Sequence, residues 1–201
     1  AHLPGVAVAC HGRRVVIPNA DLFVDSVIVN TASEVRRLDY IVGIGYGDDV
    51  EELMPDACLG SLDWGRGVWE YSSYWNWASA SGFLPDGRAV GLNLGRGFGD
   101  LSRATENAVI LDGRVHKLGA VGFGYASGNY MRPWRFTDDA GRLDLTFTPF
   151  KDRTARTNLG VIVSEVHQMF GRYAGQVVLD DGQPLEIRDL IGFAEEHRAR
   201  W

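Results

Sequence analysis

Turn signals recur at short intervals along this chain, each between apolar runs that alternate with polar residues. Pro85-Asp86-Gly87 separates residues 75–83 from 88–94, and Asp112-Gly113 separates 108–111 from 114–118. Asp138-Asp139-Ala140-Gly141 and Asp180-Asp181-Gly182 repeat the device. An Asp-Gly pair between alternating runs is the signature of a tight two-residue hairpin turn. Alternation then assigns faces: Val90, Leu92 and Leu94 oppose Gly91, Asn93 and Gly95. Leu143, Leu145 and Phe147 oppose Asp144, Thr146 and Thr148, and Trp75, Trp77 and Ser79 oppose Asn76, Ala78 and Ala80. Roughly ten to twelve mostly consecutive strands follow, which favours closure into a barrel or sandwich over an open sheet. Only the C-terminus reads otherwise: Asp189 as a cap, with Ala194, His197 and Trp201 at compatible spacing, predicts a short helix or turn over residues 190–200.

Composition narrows the class of partner. A net charge of −6 with no basic block argues against nucleic acid and against an anionic membrane. The acidic cluster Asp48, Asp49, Glu51 and Glu52 reads as a solvated loop. Cys10 and Cys58 form no C-x-x-C pair and read as two thiols in a reducing compartment, with a disulfide as the alternative. No run of eighteen apolar residues and no secretory leader is present, so a cytoplasmic location without stable membrane insertion is expected. The chain begins at Ala1 rather than a methionine, which reads as a fragment or a processed product.

The densest aromatic and glycine writing lies between residues 62 and 107, and four of the six tryptophans fall between positions 64 and 77. Gly95-Arg96-Gly97-Phe98-Gly99 and Gly43-Ile44-Gly45-Tyr46-Gly47 are spaced G-x-G-x-G, not as a dinucleotide fingerprint, and neither opens a helix. They read as bulges or close backbone approaches. Large rings beside small residues suit either a packed sheet face or a pocket wall. Trp64, Arg66, Trp75, Trp77, Asn93 and Asn107 are the candidate ligand contacts. Asp63 pairs in pattern with Arg66, and Glu106-Asn107 follows a glycine-rich loop. Glu106 or Asp63 would serve as a general acid if an apolar pocket raised its pKa. Capping of loop N–H groups is the competing role for Glu106. His116, His167 and His197 lie far apart without a ligand-spacing motif, so no metal and no cofactor is expected. No G-x-S-x-G elbow surrounds Ser79 or Ser81.

The strings Leu62-Asp63-Trp64-Gly65-Arg66-Gly67, Trp75-Asn76-Trp77-Ala78-Ser79-Ala80, Gly91-Leu92-Asn93-Leu94, Thr105-Glu106-Asn107-Ala108 and Gly192-Phe193-Ala194-Glu195 carry a resemblance. Over residues 58–201 the chain resembles a bacterial family, the domain-of-unknown-function family 2804. That family brings no established activity. It is similar, more distantly, to lipocalin-like barrels of the carotenoid-hydratase and AttH type, an analogy at the level of fold. Residues 1–57 lie outside this resemblance.

The expectation is one all-β domain over 1–201, a lipocalin-like antiparallel β-barrel or strongly bent sandwich with a short C-terminal helix. Its first expected function is binding of a hydrophobic small molecule, isoprenoid or fatty. A cofactor-free hydratase or isomerase acting on an alkene is the second. A non-catalytic interaction module with a filled barrel is the third.

Overall fold

A computed structural model of the chain describes residues 6–10, 13–17, 58–62 and 70–200. The chain divides into two compact units, Ala1–Arg66 and Gly67–Trp201. In the first, β1 (Val6–Cys10) lies between β2 (Arg13–Ile17) and β3 (Cys58–Leu62) in an antiparallel sheet whose register sets Cys10 opposite Cys58. The acidic cluster at Asp48–Glu52 lies outside the described residues, as do Asp63, Trp64 and Arg66.

The second unit is one nine-stranded antiparallel sheet. Its strands are β4 (Ser72–Phe83), β5 (Ala89–Arg96), β6 (Ala108–Leu111), β7 (Arg114–Lys117), β8 (Val121–Gly124), β9 (Trp134–Asp138), β10 (Leu143–Asn158), β11 (Val163–Val178) and β12 (Pro184–Arg200). They are ordered β7-β6-β5-β4-β12-β11-β10-β9-β8. Two meanders, β4 to β7 and β8 to β12, are thus joined by pairing of the last strand with the first. The sheet curls until β8 comes against β5. There the Arg96 guanidinium sits 5.7 Å from the centre of the Phe123 ring.

The turns follow the local chemistry. Asp112 and Gly113 both adopt left-handed backbone (φ 48° and 78°), the geometry that a two-residue hairpin turn requires and that Asp-Gly tolerates best. Gly97 is also left-handed (φ 86°) and lies against the Tyr74 carbonyl and the Trp75 backbone, where a Cβ would collide. The glycine string there is a close approach between strand ends, not a phosphate cradle.

Residues 190–200 are strand, not helix: β12 continues in register to Arg200, between β11 and β4. Asp189 is not a helix cap. It takes left-handed backbone (φ 57°) beside a register irregularity and pairs with Arg172 at 2.6 Å. The helical spacing of Ala194 and His197 is coincidental, because both faces of β12 are buried here and the two-residue alternation is masked.

The core lies on one face of the curl. Ala78, Ala80, Leu92, Leu94, Val109, Met169 and Ala194 meet Phe123, Phe136, Leu143, Leu145 and Phe147 across it, with Trp134 wholly buried among them. A line of small residues crosses this face: Ala80, Gly192 and Gly171 are successive register partners, with Pro149 next. The rings of Tyr173 and Phe147 occupy the space these glycines leave, so that a Cβ on Gly192 would meet the Ser79 carbonyl, the Ala80 methyl and the Tyr173 ring. Gly192→Val is therefore expected to destabilise the chain by about 2–3 kcal/mol or more, read as a lower urea midpoint.

Candidate functional site

Sheet register carries a polar patch onto the core face at one end. Asn76 and Glu196 are direct partners across β4 and β12, and His167 and Thr154 follow across β11 and β10. Tyr74 and Arg198 form the next row outward, and Arg96 lies opposite Asn76 on β5. The loop from β8 to β9 adds Tyr125 and Tyr130, the former stacked on Trp134 with ring centres 4.0 Å apart.

Glu196 sits at the centre and is only 3% exposed. Its Oε2 accepts a hydrogen bond from the Tyr125 hydroxyl. Its Oε1 accepts from the Tyr130 hydroxyl and from Arg198 Nε, both at 2.9 Å. Asn76 extends the network: its Oδ1 accepts from Arg96 (2.8 Å) and Tyr74 (3.1 Å), and its Nδ2 donates to Tyr125 and the Glu195 carbonyl. The Tyr74 and Tyr125 hydroxyls are 2.9 Å apart.

These contacts fix the protonation states. Burial alone would raise the Glu196 pKa, but hydrogen bonds from Tyr125, Arg198 and Tyr130 outweigh it and hold the carboxyl below its ordinary value. Burial raises the Tyr125 pKa strongly, and its bonds to Glu196 and Tyr74 raise it further. Tyr130 moves the same way, first through burial and then through Glu196. The centre is an ionised carboxylate held by protonated phenols.

Beside this network lies a cavity of about 560 Å³. Tyr130, Met131, Asp152, Glu165, His167 and Arg198 line it, with Glu196 and loop residues Ser127–Asn129. The His167 ring stacks on Tyr130 (4.3 Å between centres), and its Nε2 lies 3.2 Å from Glu165. The Arg198 guanidinium is 5.3 Å from the centre of the Tyr74 ring. The walls offer both charge signs and ring faces, a surface suited to a ligand with a polar end.

The residues expected from the sequence gather elsewhere. Trp75, Trp77 and Asn93 lie on the opposite face of the sheet, away from the core and the cavity. Trp77 Nε1 donates to Asn93 Oδ1 at 2.8 Å, and Asn93 Nδ2 reaches the Glu106 carbonyl and Oε2 at 3.3 and 3.4 Å. Trp77 packs edge-on against Phe193, and Trp75 packs against the His197 ring at 4.0 Å. The Glu106 side chain is exposed, not set in an apolar pocket. Asn107 is buried and braces the curl, accepting from Gly95 N (2.6 Å) and donating to the Gly119 carbonyl (2.8 Å). Trp77, Asn93 and Glu106 are thus brought together, while Asn107 performs a separate bracing role.

The histidines part company as well. His116 meets Asp180, His167 meets Tyr130 and Glu165, and His197 meets Ser164 and Trp75. Among the described residues no cluster of His, Cys, Asp and Glu has the arrangement of a metal site. Sequence reasoning passed over Glu196, Tyr125 and Tyr130. Their available signal was Glu195-Glu196-His197 inside an otherwise apolar stretch, where one of two adjacent glutamates must point inward if the segment is a strand.

Below the ordinary glutamate value of about 4.5, loss of the Glu196 charge is expected to lower stability. A depressed folded-state pKa contributes stability that is complete above the ordinary value and is lost as pH falls through the depressed one. Glu196→Gln should remove this component of the acid limb in pH-dependent urea unfolding. At neutral pH the same variant should cost about 1–3 kcal/mol.

A family model described as Domain of unknown function (DUF2804) matches residues 41–201, about four fifths of the chain. No curated protein and no solved structure matches it. On the breadth of the family match, the chain belongs to the DUF2804 family.

Proposed function

We propose that this protein binds a small amphiphilic molecule, its polar end held beside Glu196 and Arg198 and its apolar body against Tyr130 and Met131. The observation that carries the reading is the cavity on the core face, about 560 Å³ in a size range typical of small-ligand sites. The interior of the curl is filled by side chains such as Trp134, Phe136 and Phe147, all wholly buried. An isoprenoid or fatty ligand of the kind expected from the sequence would therefore need a hydrogen-bonding end group and would enter at the rim.

The hydratase or isomerase reading has weaker support. Protonating an alkene needs a carboxyl kept protonated near neutral pH, whereas Glu196 is held ionised and the raised pKa of the neighbouring phenols makes them weaker proton donors. That arrangement favours anchoring a ligand over donating a proton to it.

Titration calorimetry with dodecylamine, dodecanoate and farnesol tests the proposal. At least one is expected to bind, with the affinity of dodecanoate or farnesol falling about tenfold or more in Arg198→Ala, and that of dodecylamine in Glu196→Gln, through loss of a charged contact. Trp77→Ala, on the opposite face, should leave it within about twofold. The reverse pattern, or no binding by any of the three, would overturn the assignment.

A further inference from the structure

Past its pairing with β9 the outer half of β10 is a sheet edge, and the β10–β11 turn projects from the end of the sheet. Every residue from Phe150 to Ile162 is exposed on both faces, while the first half of β10 is buried on alternate positions. Its tip is apolar: Leu159 is 71% exposed and Val161 70%, with Ile162 also exposed. The tip is also well defined. Leu159 N donates to the Ile162 carbonyl at 2.8 Å, Gly160 N donates to Asn158 Oδ1 at 3.0 Å, and Arg200 donates to the Gly160 carbonyl at 2.7 Å.

Behind this tip stand basic residues on both faces. Register places Arg156 on the core face, and Arg153 and Lys151 on the other, with Arg200 at the end of β12. All four are exposed. Asp152 and the half-buried Glu165, 3.9 Å from Arg156, oppose them on the hairpin itself, with the buried Glu195 beyond Gln168 and the exposed Glu70 just before β4. A chain of net charge −6 thus concentrates positive charge behind three contiguous exposed aliphatic side chains.

We propose that this hairpin end docks on a lipid bilayer containing anionic lipid, with Leu159, Val161 and Ile162 entering the interface and Arg153, Arg156, Lys151 and Arg200 meeting the head groups. Cations set directly behind exposed aliphatics favour a bilayer, which offers an anionic head-group layer over an apolar one; an acidic second copy would answer the cations but not the aliphatics. Scattered exposed aliphatics are ordinary, but a contiguous apolar tip backed by cations on two faces matches the layered chemistry of a membrane interface. The net negative charge of the whole chain opposes this only weakly, because at physiological salt only charges within about 8 Å of the surface act strongly. The docking is peripheral. No described helix is long and apolar enough to cross a membrane.

Vesicle flotation with the full chain tests the proposal, comparing phosphatidylcholine vesicles with and without phosphatidylglycerol. Binding is expected to the anionic vesicles, to weaken with added salt, and to fall at least about tenfold in the double variant Leu159→Asp/Val161→Asp. Arg153→Gln/Arg156→Gln, which leaves the turn intact, should also weaken binding to anionic vesicles while changing little with neutral ones. No binding to anionic vesicles, or binding unchanged in both double variants, overturns the proposal. A concentration-dependent dimer that dissolves in Leu159→Asp/Val161→Asp, with no vesicle binding, would identify the tip as a self-association surface instead.

Discussion

A carboxylate buried to 3% exposure is tolerable only if its charge is answered locally, and the answer given to Glu196 organises one end of this sheet. Its three donors come from three places: Tyr125 from the start and Tyr130 from the middle of the loop between β8 and β9, and Arg198 from its own strand. Through Asn76 the same network reaches β4 and β5. The loop is therefore tied to the strands against which the sheet curls, and Trp134, stacked on Tyr125, couples that tie to the apolar core. Removing the charge would turn one of the two accepting oxygens into a donor facing a phenol or Arg198, so the cost would extend beyond a single bond.

The same network makes one wall of the cavity. Ligand-contacting residues there need no separate scaffold, because Tyr130 and Arg198 are already held by Glu196. Rigid polar groups set before a ligand arrives reduce the ordering cost of binding. His167 and Glu165, more exposed and paired mainly with each other, are the members freer to adapt.

Much of the architecture was legible in the residues. Asp112-Gly113 gave its turn because the pair tolerates two successive left-handed residues, and the alternations in 90–94 and 143–147 gave the core face directly. The last strand was not legible. With Phe193, Glu195 and His197 buried on one face and Ala194 and Glu196 on the other, its burial shows no alternation. The tryptophan-rich hairpin was read correctly as to faces, since Trp75, Trp77 and Ser79 do share one. Which face would enclose the core was beyond it, because that depends on the pairing of β12 with β4, more than a hundred residues apart. Glu196 was hidden for the same reason: nothing local joins it to Tyr125 or Asn76.

The line Ala80–Gly192–Gly171 has a consequence for how this sequence can vary. Each member is fixed by its neighbour across the strand, and Tyr173 and Phe147 fill the space between, so no position can enlarge by itself. A one-residue insertion in β12 between Gly192 and Glu195 would also turn Glu196 to the other face and bring Glu195 in its place, out of step with Gly192. Length changes should therefore be confined to the loops. Along the strands, drift would require paired changes across the ladder.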